Sequence, residues 1–144
     1  MTFGKWILIA AMMIAGGVHL WHIHERSVVA RELSEAADSN GFVPVVTSQG
    51  ATSDAVIILA ALNCPSAQAK RADALAAQLT RMGIPNRRMN HYSISRITRE
   101  QMPLLRQTSA VLTGEIPIVI VNDRAEANPT VDAVVAEYRD DSPD

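Results

Sequence analysis

Residues 55–61 read Ala-Val-Ile-Ile-Leu-Ala-Ala, a run without a single polar side chain. A run this short and this uniformly apolar suits a central strand covered on both faces, so helices must lie on either side of the sheet that holds it. The next residues, Asn63-Cys64-Pro65-Ser66-Ala67, lead into a helical pattern: Ala69, Ala72, Ala76, Leu79 and Met82 fall on one stripe, with Leu75 beside it. Pro65 suits the first helical position and Cys64 the cap before it. Gly83 ends the helix and Pro85 blocks its return. Residues 85–93 then read as a second strand, with Met89 and His91 alternating against Arg88, Asn90 and Tyr92. Such a strand–helix–strand unit is parallel and right-handed.

A second helix is expected within residues 98–112. Thr98 and Gln101 have the spacing of a capping box, and a start at Pro103 is the other option. Leu104, Leu105, Thr108, Val111 and Leu112 form its buried face, and Gly114 stops it. Residues 116–121 make a third strand, and Arg124–Ala127 a short fourth. Asn128-Pro129 reads as a helix start, with Val131, Val134, Val135 and Tyr138 on the apolar face that follows.

The amino-terminal 26 residues are of a different kind. Trp6 to Ile23 is 18 residues with no formal charge, bounded by Lys5 and Arg26, with Trp6 and Trp21 near its ends. That length is at the lower end for a helix crossing a ~30 Å hydrocarbon layer, and indole rings favour its interfaces. A cleavable leader is the rival reading, but Ala15-Gly16-Gly17 runs straight into Val18-His19-Leu20-Trp21, a poor cleavage site. The reading is therefore a single-pass anchor, with the rest of the chain on the extracytoplasmic side. His19 and His22 share a helical face, where interfacial or anchor-to-anchor contacts are a better account than a metal. A homodimer through the anchor stays open. Residues 27–53 are expected to carry a polar helical extension, a break at Asp38-Ser39-Asn40-Gly41, a short edge strand at Phe42–Val46 and a linker from Thr47 to Ser53. Residues 54–139 form the main domain and 140–144 an acidic tail.

Composition bounds the function. Hydrophobic residues are 48% of the chain but aromatics only 4%, so alanine and valine must build much of the core. Eight basic residues lie in 70–106 against two acids, and eight acids lie in 115–144 against two arginines. The basic run lacks the aromatic interleaving typical of nucleic-acid binders, Tyr92 being its one aromatic, which argues against a nucleic-acid surface. One cysteine rules out an internal disulfide and a thiolate zinc cluster within one chain. His91 with Ser93 and Ser95 lacks an acid at an informative spacing, and the chain has no phosphate-binding glycine loop.

The order βαβαβ(β)α, with a cysteine after the first strand and a proline before the third, resembles the thioredoxin fold and, within it, the glutaredoxin branch. Three segments of 54–139 carry the resemblance: Cys64-Pro65-Ser66-Ala67, Met82-Gly83-Ile84-Pro85 and Glu115-Ile116-Pro117. The resemblance implies an α/β, three-layer domain with a mixed central sheet, appended here to a transmembrane helix. It also implies a cis Ile116–Pro117 bond lying against Cys64. Pro65, Ser66, Ala67, Glu115, Ile116 and Pro117 would line a groove offering backbone groups to an extended peptide.

Departures from the family pattern bear on chemistry. Ala67 stands where the second cysteine belongs, so intramolecular dithiol exchange is lost and only a monothiol route through glutathione remains. Ala61 stands where the family has a lysine, and Ala127-Asn128-Pro129-Thr130 replaces its Gly-Gly-x-Asp turn. Glu115 would raise the thiol pKa while the helix terminus lowers it. Three readings of Cys64 stand: an inert packed thiol, a reactive monothiol nucleophile, or an inter-subunit ligand for an iron–sulfur cluster or other metal. The corresponding functions are a membrane-anchored binding or assembly module with a protein partner and no cofactor, a monothiol oxidoreductase, or an α/β envelope protein unrelated to redox chemistry.

Overall fold

The computed structural model describes residues 3–47, 54–94 and 97–140. The chain forms α1 (Phe3–Ala36), β1 (Val43–Pro44), β2 (Val56–Leu59), α2 (Ala67–Arg81), β3 (Asn86–Met89), α3 (Met102–Leu112), β4 (Ile118–Val121), β5 (Arg124–Ala127) and α4 (Val131–Asp140). The five strands make one mixed sheet in the order β1-β5-β4-β2-β3. Only β2 and β3 are parallel, as their helical crossover requires; β4 runs antiparallel to β2, and β5 to β4. The edge strand β1 is two residues long and contains Pro44, which cannot donate to a ladder from a central position.

Alternation along the two central strands divides the core in two. Val56, Ile58, Val119 and Val121 point to one face, where they meet Ala72, Leu75 and Leu79 of α2 and Val134 and Val135 of α4. Ile57, Leu59, Ile118 and Ile120 point to the other, against Val111 of α3 and Leu33 and Ala36 of α1. Both central strands are buried at every position, which explains why neither alternates in sequence.

Several boundaries differ from the sequence reading, each for a local reason. Helix α2 is capped by Ser66, whose Oγ accepts from the Ala69 amide at 3.2 Å, so Cys64 and Pro65 lie in the loop before it. Met82 has left the buried stripe and is exposed at the helix end, while Leu75 is buried in it. Gly83 takes φ +76°, a conformation that an L side chain strains to adopt. Strand β3 stops at Met89, leaving His91 exposed beyond it, with its Nδ1 2.7 Å from Asn90 Oδ1.

Helix α3 begins at Met102, with Pro103 in its first turn. Gln101 Oε1 accepts from the Thr98 amide at 3.1 Å, yet no side chain caps the helix. Thr130 Oγ1, not Asn128, receives an amide of α4, from Ala133 at 3.2 Å, and Asn128 takes a positive φ before Pro129. Thr108 is fully buried and bonds both ways: its Oγ1 accepts from the Val46 amide and donates to the Leu104 carbonyl, each at 2.8 Å.

Helix α1 is continuous from the expected anchor into the polar extension. Leu33, Ala36 and Ala37 pack on the sheet, whereas Met12, Met13, Ile14, Val18 and Trp21 are exposed. Among the described residues no helix is long and apolar enough to cross a membrane. Many side chains of the Trp6–Ile23 run lie outside the described residues, as do most of the Thr47–Ser53 linker and residues 141–144 of the tail.

Candidate functional site

The antiparallel register of β2 and β4 places Leu59 opposite Ile118. The loop that leaves β2 and the loop that enters β4 therefore meet at one end of the sheet. Cys64, Pro65, Ser66 and Ala67 come from the first, and Glu115, Ile116 and Pro117 from the second. The Ile116–Pro117 bond is cis, as the resemblance implies. Pro117 is buried, and its carbonyl accepts from the Asn128 amide at 2.7 Å, which ties this loop to the end of β5. Two apolar side chains here face solvent: Leu62 is 44% exposed and Ile116 38%.

Cys64 is half-buried and free. The Ser66 hydroxyl, and after it the Ser66 amide, hydrogen-bond the sulfur and hold its pKa below the ordinary thiol value, against a smaller opposing effect of burial. Ser66 thus serves two ends: it caps α2 and stabilises the thiolate. The activating groups are local donors; Glu115, expected to oppose them, is not among the influences on the thiol.

Glu115 has another partner. Arg71, in the second turn of α2, places Nη2 2.7 Å from Glu115 Oε1 and 2.9 Å from the Ile116 carbonyl. This guanidinium was not singled out in the sequence, because nothing local marks one arginine of a basic run as reaching a loop 45 residues away. Its effect is concrete. The carbonyl just before the cis-proline thus already accepts one hydrogen bond within the chain, and an incoming strand would share it with Arg71.

Beside Ile116 lies a cavity of about 430 Å³. Leu59, Leu112 and Ile118 make its apolar floor, and Asn90, His91 and Tyr92 its polar rim. Cys64 does not line it. The Tyr92 hydroxyl donates to the Val46 carbonyl at 3.2 Å, fixing one wall. Among the described residues no group of three or more His, Cys, Asp and Glu could hold a metal ion. Comparison with protein-family models, with curated proteins and with solved structures finds no match to this chain.

Proposed function

We propose that this chain is a membrane-anchored, degenerate thioredoxin-like domain that works as a binding or assembly module with little or no redox turnover. The fold reading draws support from the β2–α2–β3 parallel unit, the antiparallel β4–β5 hairpin beside it, the closing helix α4, and a cis-proline at the entry to β4. The anchor reading rests on the uncharged Trp6–Ile23 run, which continues as one helix into the domain. One observation carries the functional reading: where the family's dithiol would act the chain has a single thiol, and the loops at that end of the sheet carry the solvent-facing Leu62 and Ile116, with Ile116 lining an apolar-floored cavity. Those features suit the side chains of a protein partner. The domain would face the extracytoplasmic side.

A monothiol oxidoreductase using Cys64 is the second reading, favoured by the two Ser66 hydrogen bonds to its sulfur. A photocrosslinking residue at Ile116, in the full chain in its membrane, separates the two. The binding reading expects an adduct of one defined mass, unchanged by Cys64→Ser and by reductant. An adduct that needs Cys64 and is released by reductant would favour the monothiol. Absence of any adduct would remove the binding reading.

A further inference from the structure

The two edges of the sheet are finished differently. Beside β1 the Val45 amide donates to the Asp123 carbonyl at 2.9 Å, so by alternation Pro44 and Val46 turn away from β5. Both are already covered. Pro44 has no amide to offer, and its carbonyl accepts from Gln107 Nε2 at 3.0 Å. The Val46 amide donates to Thr108 Oγ1 at 2.8 Å.

The opposite edge is β3, and its direction of hydrogen bonding follows from its contacts with β2. The Pro85 carbonyl accepts from the Val56 amide and the Met89 carbonyl from the Ala60 amide, each at 2.9 Å. Backbone groups alternate along a strand, so Arg87 also faces β2, while Asn86 and Arg88 turn amide and carbonyl to the outer side. Among the described residues no strand pairs with that side. It is a template for one more strand.

Side chains set the charge of this edge. Asn86 and Arg88 lie on the α2 face, where Asn86 Nδ2 donates to Thr80 Oγ1 and Arg88 pairs with Asp73 and donates to the Ala61 carbonyl. Only 15% of the Arg88 side chain is exposed. Arg87 points to the other face and is exposed, and none of the ion pairs among the described residues includes it. Arg81, in the last turn of α2, is exposed as well. The open edge therefore presents positive charge.

A second copy of this chain does not fit there. Antiparallel pairing about the middle of two β3 strands would set Arg87 opposite Arg87, or Arg88 opposite Arg88, and like charges directly opposite are destabilising. Pairing of β3 with a second copy's β1 would meet the covered edge. We propose that the outer edge of β3 binds an extended acidic segment of another protein, which adds as a strand through the Asn86 and Arg88 backbone groups and places a carboxylate on Arg87. Main-chain bonds supply the affinity. An exposed ion pair adds little to it, so Arg87 acts by selecting acidic over basic segments. The site needs neither Cys64 nor Ile116.

The test is residue-by-residue amide exchange of the full chain in detergent micelles, with an end-blocked alternating Glu-Val octapeptide as the probe and a Lys-Val octapeptide as its charge-reversed control. Glu-Val peptide in large excess is expected to slow exchange of the Asn86 and Arg88 amides roughly tenfold or more. The Arg87 amide, already directed at β2, should change little. The Lys-Val peptide should protect neither outward amide, and Arg87→Glu should reverse the preference, with the β4 amides reporting that the variant is folded. Protection by neither peptide, equal protection by both, or a preference unchanged by Arg87→Glu would overturn the proposal. Protection of Asn86 and Arg88 that grows with protein concentration in the absence of peptide would overturn it too, by making a second copy the occupant.

Discussion

Phe42→Ala is expected to destabilise the domain by roughly 3–5 kcal/mol, the usual cost of emptying a fully buried aromatic site. Phe42 is 0% exposed and sits among Val56, Ile58, Leu75, Val119 and Val134. With only two phenylalanines in 144 residues, the core has few large side chains that could shift to fill the hole. The alanine and valine around it are short and stiff, so the cavity should persist. The loss should also spread to the 38–42 turn, whose last residue is Phe42 itself, with its amide on Asp38 and its carbonyl on Arg124. Urea unfolding of the full chain in micelles, followed by circular dichroism, measures it. A loss under about 1 kcal/mol would show that this side of the sheet repacks freely.

Arg124→Met should cost roughly 3 kcal/mol near neutral pH, the lower end for breaking a buried ion pair, because the Arg124 side chain is 30% solvent-exposed. Methionine keeps the stem volume but leaves Asp38 and Glu137 without their cation. The sign of the pH response is fixed by those carboxyls. Without Arg124, Glu137 loses an influence that lowers its pKa, so its folded value rises further from the ordinary one. The variant should regain part of its stability as pH falls from 7 toward 5, and more steeply than the parent. Equal losses at both pH values would mean that Arg124 acts through packing and not through charge.

Much of this fold was legible because its core strands are extreme in composition. The apolar runs that became β2 and β4 carry their own signature, and Arg124–Ala127 is a strand over the range read from sequence. The cis peptide came from the likeness of Glu115-Ile116-Pro117 to a family segment; nothing in the local chemistry of those residues demands it. Helix starts were misplaced where two candidate caps adjoin. At 64–66 and at 128–130 a proline lies between a candidate cap and a hydroxyl residue, and in both places the hydroxyl wins by accepting an amide of the first turn.

The site was half visible. Cys64 and Pro117 could be singled out, but Arg71 and the cavity beside Ile116 depend on contacts between segments far apart in the chain. The charge group around Arg124 left one trace in the sequence. Glu137 falls among Val134, Val135 and Tyr138, on the face of α4 that turns inward, where a carboxylate needs partners.

The central claim is that the Cys64 end binds and does not turn over, and steady-state thiol transfer tests it most directly. The full chain in detergent micelles would be given a glutathionylated peptide and excess reduced glutathione, with Cys64→Ser as the reference. The account expects the parent to run no faster than Cys64→Ser, even though the Ser66 contacts favour the thiolate. Repeated turnover that disappears in Cys64→Ser would contradict it and make this domain a monothiol oxidoreductase.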